Sequence, residues 1–246
     1  MLWYKAWLES RVRFLASGAV LGAYCVSFVQ QARHNFPPIM EPTVPYSGYI
    51  WRGVYNGIDT LAFVIVAVML GLGGLQRERG LGSAGFTLAL PATRLRLLMP
   101  RAAVALLEMT SLAAIPVIVV PWLSASIGRE YPVAQAVQFA ALFVVTGAVW
   151  VSAGFFWSSV FTGEHTGTIA CLLTPILYAA AVNGTALRRF PAANIFNVMN
   201  GTRLPFLDRT SFLLVGPLPW ATLAGVGLAA AMLFGAAIVV TAREDF

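Results

Sequence analysis

The ionisable residues are few enough in this chain to be taken one by one. Of 246 residues, ten are acidic, sixteen are Lys or Arg and two are His. Glu108 stands alone in an otherwise uncharged run, 102–127. A carboxylate at membrane depth is costly, so it is either paired or functional. Arg101 lies one heptad earlier in the sequence. Pairing with Arg101 and a place on a transport pathway are therefore both open readings for Glu108. Asp59 precedes a second uncharged run, 60–76, and reads as an interfacial cap. Glu164-His165 fills a short gap between apolar runs and reads as a solvated turn, while His34 lies in a loop. Two His and the separated Cys25 and Cys171 cannot furnish a zinc site, so no metal is expected. An intramembrane serine protease needs Ser and His meeting within the bilayer, and neither His lies in an apolar run. No catalytic residue is assigned.

The elements that must carry these groups follow from composition. Hydrophobic residues make up 59% of the chain and charged residues 11%, with a mean hydropathy of +0.77. A soluble domain carries about a quarter charged residues, so a soluble domain, a disordered chain and a coiled coil are all excluded. A helix crosses a bilayer with roughly 20 apolar residues. Runs of that length predict an all-α polytopic membrane protein with six spans near 14–30, 58–76, 102–126, 134–161, 167–187 and 218–241. The alternating segments of a transmembrane barrel are absent from the sequence. No A-x-A-like site with a polar start follows span 1, so it is not read as a removable signal. Cys25 and Cys171 both fall within spans, which argues against a disulfide framework.

Six spans place both termini on one side. Arg77, Arg79, Arg94, Arg96 and Arg101 crowd the stretch 76–101, and Lys5, Arg11 and Arg13 precede span 1. The loop after span 1 has only Arg33 and Arg52. The positive-inside rule then predicts cytoplasmic termini and a cytoplasmic 76–101 stretch, although Arg188, Arg189, Arg203 and Arg209 count the other way. The excess of basic residues is explained by this rule without nucleic acid. Residues 2–13 place Trp3, Tyr4, Trp7, Leu8 and Val12 on one face and Lys5, Glu9 and Arg13 on the other. They read as a helix lying on the membrane surface, or equally as a plain flank of span 1. The Pro-, Tyr- and Gly-rich stretch 33–57 reads as turns. The stretch 190–216 is too broken to span and too apolar for a solvated loop, which suits short helices dipping into the outer leaflet.

The stretch 76–101 reads Q-R-E-R-G-L-G-S-A-G-F-T-L-A-L-P-A-T-R-L-R-L-L-M-P-R. Ser83 can cap a short helix over 82–91 that carries Phe86, Leu88 and Leu90 and stops at Pro91, after which Thr93 can cap the next. A stub of this kind joined to two spans can pass force into the membrane; it can also be a basic loop that only fixes topology.

On Glu78, Gly82, Phe86, Leu90-Pro91, Thr93 and Arg94, followed by four more spans, a broken segment before the last and Arg243–Phe246 at the end, the chain resembles the permease subunit of type 2 ATP-binding-cassette (ABC) transporters. Ser83 and Gly85 depart from the commoner Thr and acidic residue. The resemblance implies that Glu78, Gly82, Ser83, Phe86, Leu90, Pro91 and Arg94 couple to a cytoplasmic ATPase subunit. It implies a second permease chain, identical or homologous, meeting this one through spans 1 and 5, and a pair of re-entrant half-helices before span 6. The small residues Gly18 and Gly22 in span 1, and Gly167, Ala170 and Thr174 in span 5, are compatible with such an interface. The chain has no G-x-x-x-x-G-K-[ST] and a single Lys, Lys5; ATP and Mg are expected on the partner, and no cofactor on this chain. The resulting expectation is an exporter of a lipophilic or amphipathic substrate in a prokaryotic cytoplasmic (inner) membrane. The alternatives are a membrane-embedded enzyme and an ion-coupled transporter working without ATP.

Overall fold

The computed structural model describes residues 2–35, 45–72, 94–161, 164–184, 194–202 and 207–243. The described residues form nine α-helices: α1 Leu2–Asn35, α2 Tyr46–Ile50, α3 Ile58–Gly71, α4 Arg94–Ala113, α5 Ile115–Ser126, α6 Val133–Val160, α7 Glu164–Asn183, α8 Ile195–Met199 and α9 Trp220–Arg243. One turn of π-helix, Trp51–Tyr55, follows α2 directly. Six helical stretches are long and apolar enough to cross a membrane: Leu2–Arg33, Tyr46–Gly71, Leu95–Ser126, Val133–Val160, His165–Val182 and Trp220–Arg243.

Residues 2–13 and the first span are one helix of 34 residues, α1, with no break between them. At 1.5 Å per residue it is roughly 50 Å long, well beyond a hydrocarbon core of about 30 Å. The third span is interrupted at Ala114, between α4 and α5. Pro116 supplies the reason, since it lacks the N–H a continuing helix would need and suits the first turn of a new one.

Helix α6 is the centre of the bundle. Two thirds of its most apolar window (67%) is buried, against 17% for α1 and 22% each for α7 and α9. It packs against α3, α4, α5, α7, α8 and α9, whereas α1 packs on α3, α4 and α5. The contact with α3 is as close as two helices can come. A Cβ on Gly154 would lie 2.2 Å from the Val68 carbonyl oxygen, and one on Gly71 would lie 2.2 Å from that of Val151. Only glycine allows this backbone approach.

Chain direction gives the bundle two ends. The base gathers the start of α1, the end of α3, the start of α4, the end of α6 and the end of α9; Leu98, Phe155, Ser159 and Thr241 line one small crevice there. The cap gathers the other ends. Residues 33–57 were expected as turns, but 46–55 are helical. Pro45 presets the entry in the extended region, and the apolar side chains are drawn into the core: Ile50, Trp51, Val54 and Tyr55 are all buried. The Tyr55 ring stacks on Phe139 of α6 at 4.2 Å between centroids. In the stretch 190–216 the described residues form one five-residue helix, α8, capped by Asn194, and an antiparallel bridge between Leu207 and Leu214. The chain leaves α8 through Gly201 at φ 71°, a left-handed turn that glycine adopts freely.

Candidate functional site

One set of polar contacts between helices lies towards the base, where α1 meets α3 and α4. Glu9 forms a salt bridge with Arg101 of α4, Oε2 to Nε 3.6 Å. Ser10 donates a hydrogen bond to Glu108 Oε1 at 2.5 Å, and its hydroxyl also lies 3.1 Å from the Ala6 carbonyl. Arg13 donates from Nη1 to the carbonyls of Met69 at 2.9 Å and Leu72 at 2.8 Å. The last carbonyls of any helix lack intrahelical partners, so Arg13 caps α3 from a neighbouring helix. A cation at a helix C-terminus gains about 0.3–1 kcal/mol on a surface and up to about 2 kcal/mol when partly buried.

This placement bears on the first of the two readings of Glu108, pairing with Arg101. Its hydrogen-bond partner comes from α1, and the acid that meets Arg101 in a salt bridge is Glu9. Glu108 is 3% exposed and its Oε2 has no hydrogen-bond partner. Asp59, expected as an interfacial cap, is buried as well: its Oδ2 meets the Cys25 thiol at 3.5 Å and its Oδ1 is unpartnered. Among the described residues no group of three His, Cys, Asp or Glu is arranged to hold a metal. His165 is exposed near the start of α7.

Of the small residues of spans 1 and 5, Gly167 is buried, while Gly18, Gly22, Ala170 and Thr174 are half-buried. A Cβ on Gly18 would meet Leu112 at 3.5 Å and one on Gly22 would meet Ile115 at 3.9 Å, both in the same chain. Thr174 returns its hydroxyl to the Ala170 carbonyl at 2.6 Å. The uncovered faces instead carry large apolar groups: Leu15 and Val20 on α1, and Ile169, Leu173, Ile176 and Leu177 on α7. Both helices pack on α3. Glu78, Gly82, Ser83, Phe86, Leu90 and Pro91, and the short helix expected over 82–91, lie outside the described residues; Arg94 opens α4.

The cap is held differently. Gln135 exchanges two hydrogen bonds with the backbone of Leu214, each 2.8 Å. Trp51 Nε1 donates to the Asn200 carbonyl at 2.8 Å, Ser47 donates to that of Ser211, and the hydroxyls of Tyr46 and Ser124 meet at 2.6 Å. Asp208, between α8 and α9, accepts from the Thr210 backbone N–H and from the hydroxyls of Ser211 and Thr210, which hold its carboxyl well below the usual range. Beside the cap, Val149, Ile195, Ala221, Thr222, Gly225, Val226 and Ala229 line an apolar groove of about 480 Å³.

By length and composition of its helices the chain is a multi-pass membrane protein. No protein-family model matches it, and no curated protein matches its sequence.

Proposed function

We propose that the chain is the membrane-spanning permease subunit of a type 2 ABC transporter. In this reading it works as a dimer with two separate ATPase subunits and exports a lipophilic or amphipathic substrate from the cytoplasm. The base of the bundle, with both termini, faces the cytoplasm. The observation that carries the reading is the mounting of the stretch 73–93. It leaves α3 at Leu72 and rejoins the bundle at Arg94 of α4, and these two helices are tied at the base through α1. A short helix carrying Phe86 and Leu90 between such roots can deliver a push from an ATPase to the spans. The uncovered apolar faces of α1 and α7, both on α3, suit a second permease chain. The groove beside α9 suits an apolar cargo.

Co-purification from native membranes tests this. The unaltered chain is expected to bring down a chain with a nucleotide-binding loop, and Phe86→Asp or Leu90→Asp is expected to cut coupled ATP hydrolysis by about tenfold or more, the loss of roughly one buried apolar anchor. Full transport by the isolated chain, without an energised partner, would overturn the reading. The ion-coupled alternative draws on the buried, incompletely partnered Asp59 and Glu108; uptake or efflux driven by an ion gradient in ATP-free vesicles would favour it.

A further inference from the structure

We propose that Glu9, Ser10 and Arg13 act as positioning residues, a tie through which α1 holds the end of α3 in register with α4, the two helices that flank 73–93. The three lie within five residues of α1, so they share little more than one helical turn. Their partners lie on two other helices. Arg13 reaches the last carbonyls of α3 at 2.8 and 2.9 Å, while Glu9 and Ser10 reach Arg101 and Glu108, one heptad apart on α4. Leu72 is buried at that point, so water does not readily replace the guanidinium on its carbonyl. Arg13 also lies within electrostatic reach of Glu108, and the two arms of the tie are therefore one charge network. Any displacement that moves α3 relative to α4 must stretch or break contacts made by α1. Motion entering between α3 and α4 is in this way shared with α1, the longest helix among the described residues.

The role in coupling rests on the permease reading; the tie itself rests on the geometry alone. Its test uses the full chain with Cys25 and Cys171 replaced by Ala and the reporter Leu72→Cys, labelled with a maleimide in proteoliposomes. Arg13→Gln is expected to raise the labelling rate about fivefold or more by opening the base locally. Arg13→Lys, which keeps a donor, is expected to restore most of the protection. In the assembled complex, Arg13→Gln is also expected to change ATP hydrolysis by more than about twofold while the subunits still co-purify. Unchanged labelling, or raised labelling with unchanged hydrolysis in an assembled complex, overturns the proposal. If Arg13→Gln does not insert, the double variant Glu9→Gln/Ser10→Ala with the reporter Leu98→Cys takes its place, with the same expected rise and the same overturning result. Failure of any ATPase to co-purify with the unaltered chain sinks the permease reading instead, and labelling alone then decides the tie.

Discussion

The base and the cap of the bundle join helices by different chemistry. At the base, charged side chains act at points: Arg13 on two carbonyls of α3, Glu9 on Arg101, Ser10 on Glu108. At the cap, neutral side chains bind backbone, as Gln135 does with Leu214 and Trp51 with Asn200, and aromatic rings fill the space between. A charged contact in a low dielectric is strong but depends on one side chain. A neutral side chain paired with backbone fixes register, and several such contacts share the load. The base can therefore be switched by a single substitution, whereas the cap loosens piecemeal. Under the permease reading this division places the moving parts at the cytoplasmic end and the seal at the other.

The widest separation between the two ends is expected from their tightest glycines. At Gly154 the neighbour is backbone, the Val68 carbonyl, which can retreat only if α3 leaves α6. Gly154→Ala is expected to cost about 3 kcal/mol or more, at the upper end of overpacking. At Gly53, in the π-helix, an added Cβ would lie 1.9 Å from the Phe28 ring. That ring can swing, at the cost of its stacking on Tyr49 at 4.4 Å, so Gly53→Ala is expected to cost about 1 kcal/mol. Thermal unfolding of both variants in one detergent checks the order. Equal losses would erase the contrast between a base that fails at a single point and a cap that yields piecemeal.

These contacts mark where sequence reading reaches and where it stops. The six spans were legible because each is a long run with at most one charge; the expected limits of spans 4, 5 and 6 fall within four residues of α6, α7 and α9, whereas α1 and α4 begin 12 and 8 residues before the expected starts of spans 1 and 3. Arg101 was not legible. Heptad spacing pointed it at Glu108 on its own helix, but the salt bridge runs to Glu9, 92 positions away, and a spacing rule sees one helix at a time. The small-residue pairs specify no partner by spacing alone: the half-buried Gly18 and Gly22 lie against Leu112 and Ile115 of the same chain. Residues 46–55 looked like turns because Tyr and Gly are frequent there and four prolines precede them, and burial of the aromatic rings outweighed local propensity. The residues expected to couple to an ATPase remain a reading of sequence alone.

A middle-sized effect is expected at Gln135, and it sharpens the contrast by being local. Its amide pairs with both the N–H and the carbonyl of Leu214, as a neighbouring strand would. Gln135→Leu keeps the bulk and leaves both backbone groups without their partner, a cost of about 1–3 kcal/mol. Because the segment 207–214 joins the bundle at its edge, the loss should appear as faster hydrogen exchange in that segment, with α3 and α6 unchanged. Faster exchange throughout α6 would mean that the cap carries global stability, contrary to the picture above.

The smallest effect concerns Asp208, the one cap group whose charge state governs a turn. Its carboxylate is stabilised by the Thr210 N–H and by the Ser211 and Thr210 hydroxyls, all of which favour the ionised form. The folded carboxyl therefore titrates below its unfolded value of about 4. A depressed acid contributes stability that is present above the unfolded pKa and is lost as pH falls through the folded one. The turn 208–211 should consequently be indifferent to pH between neutrality and about pH 5, and should loosen only in stronger acid. Asp208→Asn keeps one acceptor oxygen, removes the charge, and should make local exchange at Thr210 and Ser211 independent of acid. A variant as acid-sensitive as the parent would assign that loosening to another group.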